Sequence, residues 1–126
     1  MEKKFIKILC EAIKQRRILR FYYESTSGKK EWRKIIPYMV CLNNKGKLEL
    51  VGVPEDELKR PVDDREAGHY LINKLDIQQF EILQETFDDP AVPRKIVVNT
   101  QVRPVCRFRY NDEDEKEVIK RWSKIV

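Results

Sequence analysis

The sequence predicts a mainly β domain, a small barrel or rolled sheet, with a helix before the strands and a short strand and helix after them. Two observations support this prediction. The first residues have the apolar spacing of a helix, and a series of short runs rich in aromatic and branched residues follows, separated by turn-forming residues. Several short strands joined by hairpin-length links are typical of a small barrel or rolled sheet.

The N-terminal helix is predicted over residues 2–16. Its apolar residues recur at steps of three and four, which places them on one face of a helix; they are Phe5, Ile6, Leu9, Ala12 and Ile13. The basic pair at 16–17 suits the C-terminal end of a helix, where the helix dipole favours cations.

Five strands are predicted after this helix, at 18–24, 31–42, 47–53, 69–73 and 76–86. Pro37 in the second strand predicts a bend, a bulge or an edge position, because proline gives no ladder donor. The run 43–46 predicts a hairpin turn. The polar, acidic stretch 54–68 is expected to be a long loop or a partial excursion, and the least ordered internal part. The last of the five runs also fits helical spacing, and we predict a strand there.

The C-terminal part, residues 91–126, is predicted to be a short extension of a domain formed by residues 1–90. Two further strands are expected in it, at 95–99 and 105–110. Residues 112–124 predict a terminal helix, because acidic residues fill its first turn and basic residues its last. We expect this extension to pack on the barrel or to be exchanged with a second copy.

The charge of the chain is unevenly distributed. It has 126 residues, of which 37% are charged, and a net charge of +5. Residues 1–50 carry 13 basic and 5 acidic groups, whereas residues 51–93 carry 4 and 11. This division predicts a polarised surface with one side suited to anionic partners. The alternative is that the charges only keep a small domain soluble.

Several function classes are not favoured by the sequence. No apolar run is long enough to cross a bilayer, and the first residues lack the apolar centre of a secretory signal, so we expect a cytoplasmic protein without membrane partners. The cysteines at 10, 41 and 106 are odd in number, widely spaced and without a CxxC pair. They predict neither a disulfide framework nor a zinc cluster, and we expect Cys10 and Cys41 to be small core residues. With one histidine and no phosphate loop, we expect neither an enzyme nor a cofactor.

The order and spacing of several motifs resemble the opening of WYL (Trp-Tyr-Leu) domains. The residues that carry the resemblance are Ala12-Ile13, Arg16-Arg17, Phe21-Tyr22-Tyr23, Gly28, Arg33, Pro37-Tyr38, Leu50-Val51-Gly52, His69 to Leu75, Phe87 and Pro90. The resemblance implies an Sm-like five-stranded antiparallel β-barrel. It also implies a ligand-sensing module that binds nucleic acid or a nucleotide and controls transcription or defence.

The sequence departs from the family pattern at several positions. The name-giving triplet is Leu48-Glu49-Leu50, the usual Asp-Arg pair is Asn73-Lys74, and Gly68 stands where an arginine is expected. Nothing before residue 17 could form the helix-turn-helix domain that family members usually carry, so we expect a divergent stand-alone member. These departures affect the ligand more than the fold.

Six residues are candidates for a ligand site: Arg33, Lys74, Tyr23, Tyr70, His69 and Glu49. The first offers a planar fork of donors for phosphate or carboxylate, whereas Lys74 keeps only the charge. The two tyrosines would stack on a base or belong to the core. His69 would lie in the pocket or on the surface. A carboxylate at Glu49 would repel phosphate if it faced the pocket.

Two functions therefore remain open. The chain binds single-stranded nucleic acid or a nucleotide-like anion through its basic face, or it is a protein-interaction module with a degenerate pocket. The alternating run 105–110 is a candidate for pairing between two copies, which predicts a homodimer or a regulatory protein partner.

Overall fold

One helix and six strands form the part of the chain that the computed structural model describes, residues 2–25, 27–87 and 103–107. The elements are α1 (Glu2–Lys14), β1 (Arg17–Glu24), β2 (Lys30–Leu42), β3 (Leu48–Pro54), β4 (Gly68–Leu71), β5 (Phe80–Thr86) and β6 (Arg103–Arg107). The mainly β prediction is confirmed. The strand predicted at 95–99, the last three residues of the strand predicted at 105–110 and the helix predicted at 112–124 lie outside the described residues. β6 corresponds to the first part of the predicted 105–110 strand.

All six strands belong to one antiparallel sheet. Its order is β4-β3-β2-β1-β5, and β6 pairs with β2 beside this path. No pairing between β4 and β5 joins the two ends among the described residues. The described strands therefore form an open sheet, and closure into an Sm-like barrel stays a prediction.

Helix α1 packs its apolar face on the sheet. Phe5, Leu9, Ala12 and Ile13 are all buried, as their helical spacing predicted. The edge of the Phe5 ring meets the Phe80 ring of β5 at 5.1 Å between centroids. The helix ends at Lys14, two residues earlier than predicted. Arg16 there has a φ of 56°, the left-handed backbone conformation that commonly stops a helix.

Strand β2 carries a bulge at the predicted proline. Its register with β3 shifts between Pro37 and Met39. On the other edge of β2, β1 pairs as far as Ile35 and β6 begins at Met39. Pro37 thus lies where neither of these two strands needs an amide donor from β2, which is why the sheet tolerates it.

The turn between β2 and β3 is held by one asparagine side chain. Asn43 Oδ1 accepts hydrogen bonds from the backbone N–H groups of Lys45 and Lys47 at 2.9 and 3.0 Å. Gly46 adopts a φ of 76°, which a residue without Cβ reaches at little cost. The predicted hairpin is confirmed.

The acidic stretch 54–68 is more structured than predicted. It contains 3₁₀ helices at Glu55–Lys59 and Val62–Asp64. Arg65 donates from Nε to the Arg60 carbonyl and from Nη2 to the Leu58 carbonyl, at 3.1 and 3.2 Å. These hydrogen bonds close the segment on itself, so it is an excursion between β3 and β4 with short 3₁₀ helices.

The uncertain run 76–86 begins with a 3₁₀ turn at Ile77–Gln79 and continues as β5. The prediction of a strand is confirmed for Phe80–Thr86, which pairs with β1. The helical spacing of this run does not correspond to a helix, because only Ile77 lies in the short turn, whereas Phe80 and Leu83 lie in β5.

A disulfide joins Cys10 of α1 to Cys106 of β6, across 96 residues of sequence. The expectation that Cys10 is a free core cysteine was wrong. Sequence spacing gave no sign of the pair, because the bond depends on β6 returning to the edge of β2 beside the helix. Cys41 is a free, buried cysteine, as predicted.

We expect the disulfide to stabilise the domain by lowering the conformational entropy of the unfolded chain. Closing a loop of about 100 residues contributes roughly 3–5 kcal/mol to the free energy of unfolding. Cys10→Ala and Cys106→Ala should each lower that free energy by this amount in urea titrations, and the double variant should cost no more than either single variant. Single variants that match the oxidised wild type would contradict the expectation.

Candidate ligand site at the edge of strand β2

A hollow of about 330 Å³ opens where β3 separates from β2. β3 pairs with β2 only from Ile35 onwards. The preceding segment, Lys30–Lys34, therefore has β1 on one edge and the 3₁₀ helix Glu55–Lys59 near the other. The lining residues are Arg20, Glu31, Trp32, Arg33, Lys34, Pro54, Glu55 and Asp56. Cationic and anionic side chains thus alternate around one concave surface.

Arg33 lies on the core-facing side of β2, opposite Phe21 of β1. Its side chain is 27% exposed, and Nη2 forms an ion pair with Glu31 Oε1 at 3.0 Å. Its Nε is buried and has no hydrogen-bond acceptor among the described residues. Nε and Nη2 form the side-on edge of a guanidinium, the edge that grips a carboxylate or phosphate in two places. Half of this edge is therefore unused.

Tyr23 and Tyr70 lie beside Arg33 but are buried in the core. Their rings meet edge to face, with 5.3 Å between centroids, and Tyr70 also packs against Phe21 at 5.1 Å. The Tyr23 hydroxyl accepts a hydrogen bond from the Leu71 N–H at 3.2 Å. Since both rings are buried, these tyrosines pack on the core side of Arg33 and offer no exposed ring face on which a base could stack.

The Tyr70 phenol lies within the electrostatic reach of Arg33. Burial raises the pKa of Tyr70 above its ordinary value, and the Arg33 charge partly opposes this rise. The hydroxyl is therefore protonated at neutral pH. A Cβ on residue 68 would collide with the Tyr70 hydroxyl, so the glycine at this position makes room for the ring.

The outer face of the same strands carries the exposed aromatic that the sequence analysis missed. Trp32 is 43% exposed; the Arg20 guanidinium lies 4.0 Å above its ring, and the Tyr22 ring is tilted against it at 5.7 Å. Successive side chains of a strand point to opposite faces, so the pattern of β2 alone places Trp32 and Lys34 on one face and Glu31 and Arg33 on the other.

Ion pairs engage the cations of the outer face. Arg20 pairs with Glu81 at 3.3 Å. Lys34 pairs with Glu85 at 3.1 Å and with Glu55 at 3.5 Å. The hydrogen bond with Glu85 is the main cause that raises the pKa of Lys34, so the amine stays charged.

The remaining candidates lie elsewhere. His69 Nδ1 and Glu49 Oε2 are 3.0 Å apart. Each of these residues is adjacent in its strand to one of the paired residues Tyr70 and Leu50, so both lie on the opposite face of the sheet. Glu49 also accepts from Asn43 Nδ2 at 2.9 Å. Lys74 lines a separate apolar groove next to Phe5. The six predicted residues therefore fall into three groups, and only Arg33, Tyr23 and Tyr70 come together.

No catalytic arrangement is evident in the described part of the chain. Cys41 is fully buried, and burial, assisted by the negative charge of Glu49, raises the pKa of its thiol to about 12. A thiol that stays protonated is a poor nucleophile. The described residues contain no group of three or more His, Cys, Asp or Glu side chains that could hold a metal ion. None of their helices is long and apolar enough to cross a membrane.

The raised pKa of Cys41 predicts a loss of stability in alkali. The unfolded thiol ionises near pH 8.5, whereas the folded one stays protonated to about 12. The free energy of unfolding should therefore fall by up to about 1.4 kcal/mol per pH unit between these limits. Urea titrations at pH 8 to 10 should show this extra slope in the wild type relative to Cys41→Ala. Parallel slopes would show that the folded thiol ionises normally.

Comparisons with known proteins agree with this architecture. Among seven matching chains of solved structures is the proteasome accessory factor B/C (PafBC) of Arthrobacter aurescens, with a TM-score of 0.52 and 16% sequence identity. The match covers 66% of this chain and only 12% of the PafBC chain. At this identity the likeness concerns the fold alone. No curated protein sequence matches the chain.

The family comparison identifies the segment that contains α1, β1, β2 and β3. Residues 4–58 match the model of the WYL domain. They include Arg33 and most of the hollow around it. The resemblance to the WYL family that the sequence predicted is thus confirmed over residues 4–58.

Proposed function

We propose that the chain is a non-catalytic, ligand-sensing module that holds an anionic group, a phosphate of a nucleotide or of single-stranded nucleic acid, on Arg33. The observation that carries this proposal is the unpaired, buried Nε of Arg33. A buried donor without an acceptor costs about 1–3 kcal/mol, more on a charged group, and such costs are commonly retained at functional sites.

The ligand would take the place of Glu31 on the guanidinium. Glu31 uses Nη2 alone at 3.0 Å, whereas a phosphate presents two oxygens to Nε and Nη2 together. The exchange needs only a side-chain movement of Glu31, which also has Lys29 as a partner at 3.6 Å. The freed carboxylate therefore keeps a cation beside it.

The aromatic outer face favours a nucleotide-like ligand over a bare anion. Trp32 and Arg33 are neighbours on β2 and line the same hollow from its two sides. A base that follows a phosphate on Arg33 would meet the exposed indole, and stacking of a base on an aromatic ring contributes roughly 1–3 kcal/mol. The buried Tyr23 and Tyr70 pack against each other on the Arg33 side of the hollow.

The process that this ligand sensing would regulate is inferred from the similarity to the WYL domain. The strand order β4-β3-β2-β1-β5 places β4 and β5 at the two ends of the path, as an Sm-like barrel would require before closure. Ligand exchange on β2 would then act on the central strand of the sheet. We expect control of transcription or defence through a domain or partner that responds to this strand.

The proposal predicts opposite effects for two neighbouring substitutions. Arg33→Ala should weaken the binding of a single-stranded oligonucleotide or a nucleoside triphosphate by about 1–3 kcal/mol, and Arg33→Lys should recover only part of this loss. Glu31→Gln should strengthen binding, because it removes the competing charge. Fluorescence anisotropy at several salt concentrations measures these changes, with a slope of about −0.7 in log affinity per phosphate neutralised.

Lys45→Ala is the matched control, since it removes one exposed charge from the β2–β3 turn, away from the hollow. It should leave the affinity nearly unchanged. Equal losses in Arg33→Ala and Lys45→Ala, or no binding at low salt, would reject the Arg33 site.

The second candidate function is a protein-interaction module that pairs through β6. Val105 is 50% exposed, and β6 pairs with β2 on one edge while no described strand covers its other edge. Open strand edges tend to pair with another chain.

This candidate predicts a homodimer that depends on β6. Light scattering at increasing protein concentration should give twice the monomer mass for the wild type, and Val105→Glu should lower it towards one. Val105 is exposed, so the variant should keep its fold by circular dichroism. A monomer mass at all concentrations would remove this candidate.

A further inference from the structure

A second hollow, of about 730 Å³, lies between α1 and β6 and contains the disulfide. Both half-cystines belong to its lining and are half-buried, so the bond lies at a surface groove and not in the core. The other lining residues are Lys7, Glu11, Ile13, Lys14, Arg16, Val105 and Arg107. Four of them are cationic and Glu11 is the acidic one.

The charge of this groove suits thiol chemistry. Thiolates are stabilised by neighbouring cations, which lowers their pKa and makes them better leaving groups. A concave surface of one charge also raises the local concentration of ligands of the opposite sign. Cations around an accessible disulfide therefore favour both the approach of an anionic thiol and the departure of a cysteine thiolate.

We propose that the Cys10–Cys106 disulfide is a thiol–disulfide exchange site whose reaction partner is a small anionic thiol, one that carries carboxylates. The thiolate of this partner attacks Sγ of one cysteine, a mixed disulfide forms, and the other cysteine leaves as a thiolate that takes up a proton. A second thiol then attacks the mixed disulfide. Two electrons and two protons pass to the protein, and two thiols become one disulfide.

Exchange at this site would change how the sheet is held together. The disulfide is the covalent link between α1 and β6, and β6 otherwise pairs with the Met39–Leu42 part of β2. In a reducing compartment an accessible disulfide persists only as a transient or sensing bond. The redox state of the surrounding thiol pool would thus decide whether β6 is tied to the helix.

The experiment compares an anionic and a cationic thiol on the oxidised full chain. Glutathione and cysteamine are added separately, samples are quenched with acid, and mass spectrometry follows loss of the disulfide and formation of the mixed disulfide. The glutathione-to-cysteamine rate ratio is measured for the native chain and for the chain unfolded in urea, which removes the intrinsic reactivity of each thiol. We expect the native ratio to exceed the unfolded ratio by about fivefold or more, the effect of a charge near contact distance in water.

Substitutions locate the effect. Lys7 and Lys14 are exposed on α1, and Lys7→Glu with Lys14→Glu should bring the native ratio down to the unfolded ratio or below it. Lys45→Glu with Lys47→Glu makes the same change of net charge in the β2–β3 turn. It should change the ratio much less, since neither lysine lines the groove and exposed charges outside it are screened by salt. Circular dichroism verifies that both double variants fold.

Three results would overturn the proposal. Equal native and unfolded ratios would show that the groove does not select anionic thiols. Reduction only after unfolding would show that the disulfide is purely structural. Equal effects of the two double variants would show that net charge, and not this groove, controls the reaction.

Discussion

Strand β2 holds the described sheet together, because three other strands pair with it. β1 and β6 share one of its edges, at Lys30–Ile35 and Met39–Leu42, and β3 takes the other edge from Ile35 onwards. The stretch from Ile36 to Cys41 is also buried on both faces, unlike a strand with one face in solvent. Pro37 fits in this stretch only because it lies in the gap between β1 and β6.

The same pairing scheme creates the candidate ligand site. Because β3 leaves β2 before Lys34, the first residues of β2 are partly uncovered, and their side chains alternate between the core and the outer face. Arg33 is held at the border of the core, where its guanidinium is half satisfied, and Trp32 is held at the surface. A strand paired on both edges along its whole length would have buried the arginine or left it in solvent.

The sequence predicts those features that depend on residues close to one another in the chain, and it fails for contacts between distant segments. Local patterns were sufficient for α1, for the Asn43–Gly46 turn and for the presence of the first five strands, since hydrophobic spacing and turn chemistry depend on near neighbours. The hydrogen bonds of Arg65 and the disulfide to Cys106 were missed, because each depends on segments that only the fold brings together.

The candidate site shows the same limit. Arg33 was predicted from its motif, and Tyr23 and Tyr70 proved to be its neighbours. Glu49 and His69 belong to the opposite face, because adjacent positions of a strand point in opposite directions. Trp32 was overlooked although the alternation of β2 contained the information. Lys74 could not be placed from sequence, since the 3₁₀ turn Ile72–Lys74 interrupts the predicted strand.

The uneven charge of the chain is resolved by the way it folds. The basic first part and the acidic middle part face each other across β1, β2 and β5, where Arg20 meets Glu81 and Lys34 meets Glu85. This region of the outer face therefore has little net charge. On the core-facing side of β2, the proposed anion would bind Arg33 only by replacing Glu31. That requirement would select ligands whose geometry matches the Arg33 guanidinium, and net charge alone would not attract an anion to this site.

The groove between α1 and β6 has the reverse character, with four cations and one acid in its lining. Long-range attraction of anions is therefore expected at the disulfide, and short-range recognition at Arg33.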